Sequence, residues 1–404
     1  MKNNEQALTK PILAALSILI SIVICVSFYE PILMAFGYIS TQSASVMLPV
    51  SGVDFSSFST AETSSSALSE ASTTEQETSE VSETEKVTEA AATTAALEDL
   101  SVQTNSDFVI YKTVSSIEQL TETPEDILDT MSKAEETAAD DEVGGSIISK
   151  TYTTEGATDS FGMIYVKNTN DTQIDIEELL NEDADISINK EDPSVLIIHS
   201  HTTETYQILD RDFYASDFLT RDDDLSINVA RVGDAIVEEL EKAGYVVIHD
   251  TTVHDYSYSE SYTNSAAAVE RWLEMYPSIE IVIDVHRDAI STTDGTKYKP
   301  VTEIEGKNAA QVMIISGCQE EGNGITGFDD WEYNLLFALD LQNELETLFE
   351  GITRPLYFTA KKYVMNYTHN SILLEVGSDS STLEEAVYAG KCVGIALSSL
   401  LDSY

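Results

Sequence analysis

Basic residues are scarce in this chain. Lys and Arg together number 21 against 71 Asp and Glu, a formal net charge of -50 at pH 7. A field of that sign excludes nucleic acid as a partner recognised through bulk positive charge. An anionic wall polymer would be met only through a local pocket or a cation, with Arg287, Arg354, Lys361 and Lys362 as candidates for its rim. Cysteine is nearly absent too. Of three, Cys25 lies in the apolar N-terminal run, and Cys318 and Cys392 sit in strand-like and helix-like stretches, so no disulfide framework is expected and both read as buried free thiols. No H-E-x-x-H occurs, which excludes a helix-borne zinc site of that type. No G-x-S-x-G occurs, and Asp288 is a sequence neighbour of His286 rather than a partner across a site, so a serine mechanism has little support.

The composition is uneven along the 404 residues, and only the second half has the pattern of a buried core. The run from Ile12 to Phe28 carries no charge, which reaches the lower limit of about 17 residues for a spanning helix. Lys2 and Lys10 precede it and acidic sequence follows, so residues 1–11 are expected in the cytoplasm and everything after residue 28 outside. No small-x-small site closes the run, which continues through "EPILMAF"; an uncleaved single-pass cell-membrane anchor is expected. Residues 29–158 read as a largely disordered extracytoplasmic linker. Within it, residues 51–105 are dominated by Ser, Thr, Glu and Ala, with Lys86 the lone basic residue. "PEDILDTMSKAEE" is helix-like, and Gly144–Gly145 reads as a break.

From residue 159 to 404 the pattern is globular. "VLIIHSH" begins as a buried strand, a helix follows with Ile227, Ala230, Ile236, Val237 and Leu240 at helical spacing, Gly244 stops it, and a strand runs from Tyr245 to His249. A helix over Ala266–Met275 then leads into "IEIVIDVHRD", and "AQVMIIS" adds a further strand. Asp329 or Asp330 can cap "WEYNLLFALDLQNELETLF", and Thr382 with Glu385 forms a capping box for "LEEAVYAGKCVGIALSSLL". Continuous apolar strands alternating with helices predict an α/β fold, its sheet mostly parallel and covered by helices on both faces.

Three of the buried strands end in ionisable residues: "VLIIHSH", "IVIDVHRD" and "ILLEVGS". Ligand sites of open α/β sheets lie beyond the carboxyl ends of strands, so His199, His201, His286, Arg287, Asp288 and Glu375 can converge. Strand side chains repeat every two residues, which puts His199 and His201 on one face, with Glu204 able to fold back from the next turn. Two imidazoles and a carboxylate suit Zn2+ with a position left for water, and Glu375 suits proton transfer. Arg287 or backbone donors would hold an oxyanion. His254 is a candidate beside the ligands or for substrate, though a surface hydrogen bond is the commoner use of a loop histidine. His249 and His369 receive no catalytic role. Tyr206, Tyr256, Tyr258 and Tyr262 could stack on sugar rings, though such tyrosines more often only pack.

"VLIIHSHTTETY", "VHDYSYSESY", "IEIVIDVHRDA", "WEYNLLFALDLQ" and "ILLEVGSDSSTLEEA" resemble the successive motifs of the stage II sporulation protein P family, from about Gly162 to the C-terminus. The resemblance implies a membrane-anchored peptidoglycan hydrolase related to zinc-dependent N-acetylmuramoyl-L-alanine amidases, with an added endopeptidase activity. It further implies work at the septum during engulfment, with the sporulation proteins D and M as partners. Carried over by position, it makes His286 a metal ligand, one or both of His199 and His201 ligands, and Glu375 the catalytic carboxylate. His201 is favoured over His199, with Glu204 the nearest carboxylate. "NYTHNSILLE" and the Ser-Ser before "TLEEA" depart from the family pattern beside Glu375, which bears on substrate preference. A pure zinc peptidase and a non-catalytic wall-binding or scaffold protein are the rival readings.

Overall fold

The computed structural model describes residues 117–404 apart from 183, 321 and 323. The expected cytoplasmic tail, spanning helix and Ser/Thr-rich stretch lie outside the described residues, and no described helix is long and apolar enough to cross a membrane. In chain order come α1 (Ile117–Thr121), α2 (Glu125–Thr137), β1 (Val143–Lys150), β2 (Asp159–Phe161), β3 (Ile164–Asn168), α3 (Ile176–Leu179), β4 (Pro193–Ile198), β5 (Phe213–Ala215), α4 (Val229–Lys242), β6 (Val246–His249), α5 (Ser261–Met275), β7 (Ile281–Asp288), β8 (Lys297–Ile304), β9 (Lys307–Ala310), β10 (Val312–Gly317), α6 (Trp331–Leu348), β11 (Leu356–Thr359), β12 (Asn370–Ser378) and α7 (Leu383–Leu401).

Eight strands form the main sheet in the order β2-β3-β11-β10-β12-β7-β4-β6, and a second sheet runs β5-β1-β8-β9. The block β12-β7-β4-β6 is parallel, as expected from its helical crossovers. The main sheet as a whole is mixed, because β10 lies antiparallel to β12 and β2 antiparallel to β3. The physical reason lies in the connections. A parallel neighbour needs a long crossover, whereas β10 is entered directly from the antiparallel β8–β9 pair.

Alternation along the strands sorts the core into two faces. Val195, Ile197, Ile281, Ile283, Ile372 and Leu374 point to the side covered by α4, α6 and α7. Leu196, Ile198 and Val282 point to the opposite side, against Ala268 and Val269 of α5. Asp284 and His286 follow Val282 at the same parity, and Glu375 pairs with His286 in register, so all three share the α5 face. Helices therefore cover both faces, unequally. The last helix, α7, is buried along almost its whole length and opens with the expected Thr382–Glu385 capping box. Cys318 and Cys392 are buried free thiols.

The expectation of a disordered spacer up to residue 158 does not hold for residues 117–158. Leu120 and Ile127 are buried, β1 pairs with β5 and β8, and polar anchors fix the segment. Arg231 Nε donates to Asp126 (2.7 Å), Lys391 Nζ to the Glu122 carbonyl (2.7 Å) and Lys307 Nζ to the Thr121 carbonyl (2.9 Å). Its apolar residues are too sparse to show periodicity, and the lysines and arginine that hold it come from distant sequence.

Candidate active site

The site is built where β4 and β7 end against α5. β4 stops at Ile198, so His199 is the last residue that follows the strand alternation and His201 already lies in a turn. The expected sharing of one face is thereby broken. His199 turns to the α4 side, where its Nδ1 contacts the Val285 carbonyl (2.8 Å) and its Nε2 contacts His249 Nε2 (2.9 Å). Burial and the neighbouring His249 push its pKa down to about 3, which leaves a neutral ring. Gly233 makes room for this pair, since a Cβ there would lie 2.5 Å from His249 Nε2. His199 is therefore a packing residue of the core side rather than an alternative ligand.

His201 turns to the other side and meets His286, their ring centroids 5.4 Å apart at 84°. Tyr258 stacks on His201 at 4.7 Å, and Tyr262 meets it edge-on at 5.3 Å. Glu204 does fold back: its Oε2 lies 3.5 Å from His286 Nδ1 and accepts from the Arg287 backbone N–H (3.2 Å). Its Oε1 accepts from Arg221 Nη2 (3.1 Å). Asp284 Oδ1 sits 2.8 Å from His286 Nε2, close but outside hydrogen-bond alignment. Burial opposes a charge on His286, yet Asp284 and Glu204 outweigh it and hold the imidazolium well above the ordinary histidine range.

Glu375 stands in register with His286 on the adjacent strand, and its Oε2 is buried with no hydrogen-bond partner. Burial pushes its carboxyl up to about 8; His286 opposes this, and the negative charges of Asp288 and Glu204 reinforce it. A carboxyl poised there can both take and return a proton near neutral pH. The rings of Tyr262 and Tyr363 meet beside it, centroids 5.1 Å apart and tilted by 38°, Tyr363 with a backbone φ of 46° that a bulky residue seldom adopts.

Other sequence candidates take different places. Arg287 is buried, with Nε donating to the Thr205 carbonyl (3.1 Å) and Nη2 to the Thr220 carbonyl (2.5 Å), so its guanidinium braces the Glu204 turn and is not free to receive an oxyanion. Asp288 pairs with Arg354 (2.9 Å) at the margin. His254 is buried, 3.8 Å from Asp250, so the surface hydrogen bond expected of a loop histidine is not found. Tyr206 is buried and donates to the Val376 carbonyl (3.0 Å), which removes it as a sugar platform; Tyr256 and Tyr258 are exposed. Arg221, Asp255 and Asp284 were missed by sequence reasoning. Asp284 stood within the quoted "IVIDVHRD", two residues before His286, and an acidic residue inside a buried strand was the available signal.

His201, His286 and Glu204 fit a divalent ion by donor chemistry, and Glu375 Oε2 beside them is a buried polar atom without a hydrogen-bond partner. Among the described residues, however, no three His, Cys, Asp or Glu side chains form a ready metal-holding group. Glu204 is held instead by Arg221 and the backbone of Arg287.

Fold and site together define an α/β domain in which two neighbouring strands and the turn after a third bring two imidazoles and several carboxylates to one helix-covered rim. The sequence model described as Stage II sporulation protein P (SpoIIP) matches residues 50–398, and the chain belongs to that family. It is 25% identical over 218 residues to Stage II sporulation protein P of Bacillus subtilis (strain 168), covering 51% of this chain and 50% of that protein, so it spans about half the length of the curated relative it matches. Among solved structures, the CwlD amidase from Clostridioides difficile in complex with the GerS lipoprotein is similar at 13% identity and TM-score 0.32, over 52% of this chain and 100% of that one. The N-acetylmuramoyl-L-alanine amidase AmiC2 of Nostoc punctiforme is similar at 12% identity and TM-score 0.30, over 52% and 97%.

Proposed function

We propose that the chain is a peptidoglycan hydrolase of the N-acetylmuramoyl-L-alanine amidase type, held outside the cell by an N-terminal single-pass anchor at residues 12–28. The observation that carries this reading is the meeting of His201 and His286 at 5.4 Å, with Glu204 beside them and Glu375 in register with His286. Family membership supports the substrate class; the anchor and its orientation rest on the hydropathy and charge of the N-terminus.

His201, His286 and Glu204 would hold a divalent ion, with Zn2+ the best match to two imidazoles and a carboxylate. Such an ion, when bound, supplies Lewis acidity toward an amide carbonyl. Glu375 takes the proton of the attacking water and delivers it to the leaving amine, a task its half-buried position and its pKa of about 8 suit. Arg287 holds the turn that carries Glu204, and the tyrosines Tyr258 and Tyr262 form the aromatic wall over His201.

The test is a gel with embedded cell wall, run with the full-length protein, followed by mass analysis of the products. Clearing by the wild type that disappears in His286→Ala and Glu375→Gln, with release of intact stem peptides bearing a free L-alanine amine, supports the amidase. Cuts confined to bonds between amino acids would identify a peptidase. A wild type that binds the wall without clearing it would identify a scaffold.

A further inference from the structure

Each imidazole at the rim turns one nitrogen toward an aspartate. His286 Nε2 lies 2.8 Å from Asp284 Oδ1, and His201 Nδ1 lies 3.7 Å from Asp255 Oδ2. Neither aspartate is loosely placed. Asp284 is fully buried and accepts from Ser200 through both the backbone N–H (2.8 Å) and the hydroxyl (2.6 Å). Ser200 directly precedes His201, so this one carboxylate touches the first imidazole and fixes the turn that carries the second. Asp255 accepts from the Thr203 hydroxyl (2.6 Å) and from Arg221 Nη1 (2.6 Å). The other arm of Arg221 reaches Glu204, so a single guanidinium ties Asp255 to the third donor.

We infer that Asp284 and Asp255 are positioning residues that set the ring orientations of His286 and His201 and so present His286 Nδ1 and His201 Nε2 to an ion, with Arg221 aligning Glu204 to the same point. This rests on the metal reading proposed above. Carboxylates hydrogen-bonded or ion-paired behind ligating histidines raise their basicity and restrict ring rotation, and their loss typically weakens metal binding about 10–100-fold. Holding the rings in place before an ion arrives lowers the ordering cost of binding.

The fold contains its own control. His254 and Asp250 form a similar imidazole–carboxylate contact at 3.8 Å, with Asp250 also accepting from Trp272 Nε1 (2.8 Å), yet His254 is no part of the donor set. The experiment is a competition of the full-length, metal-free protein against a chromophoric chelator for Zn2+, with a thermal melt of each metal-free variant. Asp284→Asn and Asp255→Asn are each expected to weaken Zn2+ binding about 10–100-fold. Asp250→Asn is expected to bind Zn2+ as the wild type does, even where its melting temperature falls. Wild-type affinity in both positioning variants overturns the inference and leaves the metal reading intact. Equal weakening in Asp250→Asn also overturns it, because the effect would then be general loosening. A wild type that binds no Zn2+ removes the metal reading and this inference together. Should Asp284→Asn fail to fold, Asp255→Asn decides, since Asp255 lies in a loop away from the strand core.

Discussion

In the proposed hydrolase Glu375 is the proton carrier. Replacing it by Gln keeps shape and removes the proton carrier, so hydrolysis of cell wall should fall about 10²–10⁴-fold, read as the initial clearing rate. Zn2+ content should be unchanged, since Glu375 is outside the donor set. Asp340 shows the same physics without a catalytic purpose. Burial raises its carboxyl to about 6, against a hydrogen bond from the Tyr404 hydroxyl that lowers it. A folded-state pKa above the ordinary value of 3.8 means the fold binds that proton more tightly than the unfolded chain does. Its contribution to stability is full below pH 3.8 and is lost as pH rises through about 6. Asp340→Asn should therefore raise the melting temperature at pH 7 and have a smaller effect at pH 4; an equal effect at both would contradict this origin.

At the scale of elements, α7 shows how a buried helix is joined to the second sheet. Glu385 closes the capping box and also receives Lys299 Nζ of β8 at 2.8 Å, both groups buried. Thr382→Ala removes the cap and should cost about 1 kcal/mol in urea melts. Lys299→Met leaves the Glu385 carboxylate without its cation and should cost more, about 3–5 kcal/mol. Finding the reverse order would mean that the ion pair contributes little here. Gly394 allows α4 and α7 to approach, since a Cβ there would lie 2.8 Å from the Ile236 carbonyl oxygen. The small residue is required by backbone proximity, not by a turn.

For the whole molecule, residues 117–158 matter most, because they complete the sheet that a boundary at 159 would leave open. Without β1, both β5 and β8 lose a partner strand. A chain begun at residue 159 should melt at a lower temperature than one begun at 117 and associate through its bare edge, seen by light scattering. Equal melting and a monodisperse short form would show that the segment only decorates the domain.

What could be read from sequence was local. The strands β4, β7, β10 and β12 announced themselves as continuous apolar runs, the α7 cap as Thr382 with Glu385, and the convergence of His201, His286 and Glu375 followed from strands whose chemistry-bearing residues lie toward one end. Local pattern determined these because burial on both sides of a strand demands apolar residues at every position. The tertiary structure alone decided that β4 ends at Ile198 and parts His199 from His201, that β10 runs antiparallel, and that Arg221 and Asp255 reach the site from remote loops. The physical reason is that a strand's end, a strand's direction and a buried charge's partner depend on groups brought close only by folding, and a sequence carries no record of those distances.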